Sequence, residues 1–333
     1  MLVCRPSKKP NNFVINESPF NQRTLCTPQS RTFINALLLN FFARSAFIDT
    51  LQPSRKARLI RNVGGIMNIK LVALDLDDTL LDPNLRISEE SVRSIQEVRK
   101  RGVRITISTG RMYPSALPYA LQLGIDVPLI TYQGACVKNS LSEEVLYFKP
   151  VPPKLAWEVI QFFQSAGVHC HSYFGDRLVM ESLTEEGGFY SRLAGVEATI
   201  VDNLLGSLET NAALKIMAIS NDEPKLLDLE QQLKFKYGDK LHITRSKPHF
   251  LEVMHPEADK AKALEVIARH YRIDQQDIMA IGDSYNDIEM LQWAGVGVAM
   301  GNSFQLVKDA ADFVTSSNEE DGVAQALRRF ILK

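Results

Sequence analysis

Lys70-Leu71-Val72-Ala73-Leu74-Asp75-Leu76-Asp77-Asp78-Thr79-Leu80-Leu81 is the stretch that decides the fold. A short apolar run climbs to Asp75, two more acids follow, and a turn at Asp82-Pro83 closes it. An apolar run of this length between polar residues predicts a buried parallel strand rather than a helix. Open α/β sheets bind ligands beyond the carboxyl ends of their strands, which is where the three carboxylates fall. Carboxylates so crowded repel one another and ask for a cation. Taken alone, the stretch also reads as a solvated acidic loop after a strand.

Working outward, the chain predicts the remainder of that sheet. Ser88 is a helix N-cap, Val92, Ile95 and Val98 keep helical spacing, and Gly102 ends the helix. Val103 to Ser108 is a second strand, ending in Thr109-Gly110-Arg111. A helix through Ala116, Leu117, Ala120 and Leu121 leads to a third strand, Pro128 to Thr131. Strand alternating with helix predicts a right-handed parallel sheet. The Thr109 hydroxyl and Gly110 amide suit a phosphate oxygen, and Arg111 suits a bidentate anion contact. An ordinary strand-to-helix turn with a solvated arginine is the alternative.

Pro150, Pro152 and Pro153 read as a linker into an inserted α+β unit over residues 150–253. Within it, a helix runs from Lys154 to Gly167 and strands cover His169 to Tyr173, Leu178 to Glu181 and Ala213 to Ile219. A helix ending near Gly238 and strands at Leu241 to Thr244 and Phe250 to Met254 complete it. His169 and His171 share a strand face, as metal ligands can. No third ligand stands at matching spacing, which favours a structural or substrate-facing role. The sheet then resumes. Lys260 opens a helix to about Tyr271, and Ile278 to Ile281 is a strand ending in Gly282-Asp283-Ser284-Tyr285-Asn286-Asp287. Val296 to Ala299 and Phe313-Val314 follow as strands, and Glu319 to Phe330 as a helix. Parallel strands end at one edge, so Asp75, Asp77, Thr109 and Asp283 converge, with the Lys260 ammonium in reach. Hard oxygen ligands of this kind suit a divalent cation, Mg²⁺ above all.

The four motifs, in this order, resemble the haloacid dehalogenase superfamily of phosphatases. The place of the insert resembles its Cof-type subfamily, which carries a large α/β cap. The resemblance covers residues 67–333. It implies an α/β fold: a Rossmann-like parallel-sheet core from residues 67–149 and 254–333, with 150–253 as the inserted cap. It implies that Asp75 attacks phosphorus to form an aspartyl-phosphate. Asp77 would protonate the leaving alcohol and then activate water. Thr109, Gly110, Lys260 and Asn286 would bind phosphate. Asp75, Asp283 and the Asp77 carbonyl would hold Mg²⁺, with Asp287 in support. Gln133-Gly134-Ala135 stands where many relatives carry Asn-Gly-Ala. Gln133 and Gly134, with Arg111, His171, Tyr173 and Arg177, are the expected substrate contacts. The implied activity is Mg²⁺-dependent hydrolysis of small phosphate monoesters such as sugar phosphates. A phosphomutase and a phospho-accepting signalling domain are the alternatives, and Asp77 argues against a lasting phospho-aspartate.

Composition sets the frame. The chain has 333 residues and a formal net charge of −1, which suggests about two domains. Four scattered cysteines without a CxxC pair point to a reducing, cytoplasmic setting. Phe33 to Phe47 is the longest apolar candidate for a membrane span, and Asn35, Asn40, Arg44 and Ser45 break it. Residues 1–66 hold 10 Lys+Arg and 2 Asp+Glu, a balance of +8; the remainder holds 28 and 37, or −9, and the two sum to −1. The leader reads as an organellar transit peptide, a basic arm, or sequence upstream of a true start at Met67. The last is favoured, because Met67 opens straight into the first strand. The codons of Gly64-Gly65, GGNGGN, also precede its ATG as a ribosome-binding site would. The expected partner is a small phosphate ester, with neither nucleic acid nor membrane.

Overall fold

The computed structural model describes residues 68–332, so the basic leader and the reading of Met67 as the start lie outside the described residues. The first strand, β1 (Leu71–Leu74), is buried at every position. Helix α1 (Glu89–Lys100) is opened by Ser88, whose hydroxyl accepts the Ser91 amide. Its acids lie in the first turn and Arg99 and Lys100 in the last, matching the helix dipole at both ends. β2 (Arg104–Ile107) pairs in parallel with β1, and α2 (Tyr113–Gln122) follows. β3 (Leu129–Thr131) departs from the expected parallel sheet. It meets the β2 strand at one parallel bridge, Ser108 with Ile130. It then enters an antiparallel sheet with β4 (Cys136–Lys138) and β5 (Val145–Phe148). Those last two strands are short, and β5 is nowhere fully buried, so neither leaves an apolar period to read.

Helix α3 (Pro153–Ser165) leads into a second sheet. Its strands are β6 (His169–Phe174), β7 (Arg177–Met180), β8 (Ala198–Ile200), β9 (Ala213–Ile219), β10 (His242–Lys247) and β11 (Phe250–Met254). They lie in the order β10-β11-β9-β6-β7-β8. Helix α4 (Glu185–Ala194) precedes β8, and neither was expected; α5 (Glu223–Tyr237) was. Alternation along the strands gives the sheet two faces. On one, Val179, Ile216, Ala218, Leu251 and Val253 pack with Val159, Ile160 and Phe163 of α3 and Leu226, Leu229 and Leu233 of α5. On the other stand His171, Tyr173, Lys215, Met217, Phe250 and Glu252, all buried. Cross-strand register sets Tyr173 beside Lys215, His171 beside Met217, and Met217 beside Glu252.

Helix α6 (Lys260–Tyr271) brings the chain back, and the Asp259 carboxylate caps it by accepting the Ala261 and Lys262 amides. β12 (Ile278–Gly282) lies along the other side of β1. After α7 (Ile288–Trp293), β13 (Val296–Ala299) extends the sheet, and α8 (Gln305–Ala310) leads to β14 (Phe313–Val314). The parallel order is β14-β13-β12-β1-β2. α9 (Gly322–Leu327) runs straight into a π-helical turn, Arg328–Leu332, so the helix expected over 319–330 forms but starts later, after a 3-10 turn at Asn318–Glu320. No helix among the described residues is long and apolar enough to cross a membrane.

One turn in this core carries strain. Tyr132 (φ 54°), Gln133 (φ 58°) and Gly134 (φ 93°) are three left-handed residues in a row. A Cβ on Gly134 would sit 2.4 Å from the carbonyl of Asp259, the residue that caps α6. Gly134→Ala is therefore expected to destabilise the fold by about 3 kcal/mol. Thermal unfolding should show a midpoint lowered by roughly 10 °C; an unchanged midpoint would refute the close approach.

Candidate active site

β1 delivers Asp75 to the carboxyl edge of the parallel sheet, where its amide donates to the Ile281 carbonyl of β12 at 3.0 Å. Asp77 is extended and Asp78 left-handed (φ 58°), so the chain reverses at once. That reversal puts the Thr79 hydroxyl 2.7 Å from Asp283 Oδ1, to which it donates. Ser284 donates to the other oxygen of Asp283 at 2.9 Å. Lys260, at the first position of α6, donates to Asp75 Oδ1 at 2.7 Å and to Asp287 Oδ1 at 2.6 Å. The amides of Asp283 and Ser284 donate to Asp287 Oδ2 at 3.1 and 3.0 Å. Both oxygens of Asp287 are thus engaged.

Burial governs the charges here. It pushes the Asp75 carboxyl up; Lys260 pulls it down, and Asp287 and Asp283 push it up again, leaving it well above the usual range. Asp283 is held at about 7, by burial first and Asp287 second. Burial works against the Lys260 ammonium, but Asp287 and Asp75 outweigh it and hold the group above its ordinary value. Three acids and one base, buried together, leave a surplus of negative charge that a divalent cation would relieve. Oxygens of Asp75, Asp283 and Asp287 lie within 4.8 Å of one another, the set among the described residues with that geometry. Asp287 accepts an ammonium and two backbone amides, whereas Asp283 accepts one hydroxyl at each oxygen and Asp75 the Lys260 ammonium at Oδ1. Asp75 and Asp283 therefore keep the lone pairs that fit a hard metal.

Above this floor lies a cavity of about 120 Å³ between the two larger sheets. Asp75, Asp77, Thr109, Gly110, Arg111, Gln133 and Asn286 line it, as expected of site residues. Their pairings differ in part from expectation. Arg111 grips Asp77 with two bonds, at 2.8 Å from Nε and 2.6 Å from the second nitrogen, and is not solvated. Asn286 donates to Gln133 Oε1 at 2.7 Å, and Gln133 Nε2 donates to Glu252 at 3.2 Å. A Cβ on Gly110 would lie 2.3 Å from the Gln133 amide nitrogen, so a side chain there would displace the end of Gln133.

Four expected substrate contacts fall elsewhere. Gly134 packs against the backbone of Asp259, outside the cavity wall. Arg177 opens β7 on the exposed side, donates to Asn211 at 3.1 Å, and is absent from the cavity wall. His171 and Tyr173 have no exposed surface and stand one layer behind that wall. The His169 and His171 ring nitrogens are bonded to each other, to Thr184 and to Tyr173, which leaves no metal pair. The second sheet and α4 instead supply Tyr190, Leu193, Lys215, Met217, Phe250 and Glu252. Lys215 donates to the Gly110 carbonyl at 3.0 Å and faces Glu252 at 3.4 Å, both 3 % exposed or less. A lone Lys in Ala213–Ile219 and a lone Glu in Phe250–Met254 were the available signals: a charge inside a buried strand implies a partner.

A sheet edge that gathers Asp75, Lys260, Asp283 and Asp287 beneath a cavity defines a phosphoryl-transfer class of hydrolase. Comparison with known proteins agrees. The family model of the haloacid dehalogenase-like hydrolases matches residues 72–327. A 5-amino-6-(5-phospho-D-ribitylamino)uracil phosphatase of Bacillus subtilis is 30% identical over 271 residues, covering 78% of this chain and 97% of its own. The crystal structure of a haloacid dehalogenase-like hydrolase from Bacteroides thetaiotaomicron superposes with a TM-score of 0.73 at 29% identity, covering 78% of this chain and 99% of its own. A solved sugar phosphatase of subclass IIB of the superfamily gives 0.69 at 26% identity, covering 78% and 98%. The chain belongs to the haloacid dehalogenase-like hydrolases. It is a phosphoric monoester hydrolase.

Proposed function

We propose that the chain hydrolyses small phosphate monoesters, sugar phosphates among them, through an aspartyl-phosphate and with Mg²⁺. The observation that carries this is Asp75 at the strand end, bonded to Lys260, with Asp283 beside it and the Thr109-Gly110 turn across the cavity. Asp75 attacks phosphorus, and the bond from phosphorus to the leaving oxygen breaks. That oxygen takes a proton from Asp77. Asp77 then removes a proton from water, which attacks phosphorus and returns Asp75 as a carboxylate and the phosphate as product. Lys260 steadies Asp75 and the phosphate charge. Thr109, Gly110 and Asn286 bind phosphate oxygens, and Asp287 holds Lys260 in place. A bound Mg²⁺, held by Asp75, Asp283 and the Asp77 carbonyl, would let an anionic carboxylate meet an anionic ester.

The Arg111 grip bears on this sequence. Two charge-assisted bonds hold the Asp77 carboxylate against the guanidinium. Asp77 serves as the acid once it gives up Arg111, which frees the guanidinium for the ester's own charge. Residues 150–253, on this reading, are the cap that covers the ester, with 67–149 and 254–333 as the core. The free thiols of Cys136 and Cys170 support a cytoplasmic setting, and the acidic balance after residue 66 supports a small-molecule substrate over nucleic acid or membrane.

The test is inorganic phosphate release from glucose 6-phosphate, ribose 5-phosphate, phenyl phosphate and pyridoxal 5′-phosphate, with Mg²⁺ present. Turnover of at least one ester is expected. Absence of turnover, or a phospho-enzyme that persists in the native protein, would refute the hydrolase cycle.

A further inference from the structure

His169, His171 and Tyr173 alternate along β6 and share its cavity-side face. Their polar atoms join end to end. Thr184 Oγ1 lies 2.8 Å from His169 Nδ1, and His169 Nε2 lies 3.0 Å from His171 Nδ1. His171 Nε2 lies 3.2 Å from the Tyr173 hydroxyl, which donates to the Tyr190 hydroxyl at 2.5 Å. Thr184 caps α4 and Tyr190 sits on it, so the chain of bonds ties one helix to one strand at two points. No step of the proposed reaction uses any of these groups.

Such a chain has a direction. A neutral imidazole has one donor and one acceptor nitrogen. Burial lowers His169 below the usual histidine range, and burial with His169 and Lys215 lowers His171 further, so both rings are neutral. Thr184 already accepts the Gly187 amide at 3.1 Å. The Tyr173 hydroxyl spends its one hydrogen on Tyr190, so its bond with His171 Nε2 is one that Tyr173 accepts. That bond orders the others: His171 Nδ1 accepts from His169 Nε2, and His169 Nδ1 accepts the Thr184 hydrogen. The Tyr190 oxygen is thus occupied as an acceptor. Its own hydrogen finds no acceptor among the bonds of the described residues. Tyr190 lines the cavity, as Lys215 does. Burial works against the Lys215 ammonium, while Glu252 and then Tyr190 hold it up.

We propose that Tyr190 determines leaving-group specificity, presenting its hydroxyl as a hydrogen-bond donor to an oxygen of the departing alcohol, with Tyr173 and His171 as positioning residues behind it. This rests on the phosphatase reading. Leu193, Met217 and Phe250 flank Tyr190 in the wall. The favoured esters are therefore those whose leaving group joins an apolar or ring face to a carbonyl or hydroxyl oxygen. A site built around a hydrogen bond rejects the analogue that lacks its partner.

Two ring esters separate the possibilities: pyridoxal 5′-phosphate, which carries acceptor oxygens, and phenyl phosphate, which carries none beyond the phosphate. The native enzyme is expected to favour the first in kcat/KM by about tenfold or more. Tyr190→Phe should lower kcat/KM for pyridoxal 5′-phosphate about tenfold and leave phenyl phosphate within about twofold. Tyr173→Phe, which removes one oxygen a layer away from any ester, should cause about threefold or more of the same selective loss. The double variant should lose no more than Tyr190→Phe. Equal losses on both esters, a native enzyme without preference, or additive effects would each overturn the proposal. Phenyl phosphate turnover that survives in both variants keeps the phosphatase reading separate from this outcome.

Discussion

Asp75→Asn abolishes phosphate release, with kcat falling by about 10⁴ or more. Asparagine matches aspartate in shape, so the packing at the end of β1 is kept. It carries no anionic oxygen to attack phosphorus. Lys260 retains Asp287 at 2.6 Å, so its buried ammonium is not left alone. The variant also removes a carboxyl that burial and two neighbouring acids already hold away from its charged form. Its metal-free thermal midpoint should therefore equal or exceed that of the native protein. Purified, folded Asp75→Asn should neither release phosphate nor gain the mass of a phosphoryl group. Activity above a few per cent, in a variant with native melting behaviour, would show that another group attacks phosphorus.

Removing the metal should cost nearly as much. With a chelator present, turnover is expected to fall by about 10³ and to return on adding Mg²⁺. The site also gives the sign of a pH effect. In the metal-free protein Asp283 is held at about 7, well above its value in an unfolded chain. The native state therefore binds a proton that the unfolded state has lost, and metal-free stability falls as pH rises through about 7. Metal binding needs the deprotonated carboxylate. The rise in melting midpoint caused by Mg²⁺ should accordingly be larger at pH 8 than at pH 5. A rise that is constant, or larger at pH 5, would remove Asp283 from the metal set.

Much of the core was legible because the chemistry demands fixed residue types at strand ends. Asp75, Thr109, Lys260 and Asp283 each follow a short apolar run or open a helix, and parallel strands finish at one edge. What escaped lies on the second sheet. Lys215 and Glu252 sit inside strands that look like ordinary core, and only the cross-strand register brings them together. Tyr190 lies on α4, whose apolar pattern is interrupted by Gly187 and Gly188. Arg177 was expected among the substrate contacts, but the pleat of β7 turns it outward, whereas the burial of its neighbours Leu178, Val179 and Met180 is evident only from the sheet. Arg111 was recognised as a binding group. That it holds Asp77 follows from a side-chain geometry that spacing alone does not encode.

The position of β1 has a consequence for synthesis. Leu71 pairs with Arg104 on one side and with Ile278 on the other. On the ribosome, at roughly 5–20 residues per second, the second partner arrives about 10–40 s after β1 itself. Through that interval the nascent chain can form β1 with β2, and the second sheet can close its own apolar cluster with α3 and α5. The hydrophobic edge of Leu71–Leu74 meanwhile stays unpaired and open to other chains. Neither Lys260 nor Asp283 yet exists beside Asp75. The enzyme is therefore inert, and most exposed to aggregation, until the last quarter of the chain has emerged and β12 has seated along the strand that was made first.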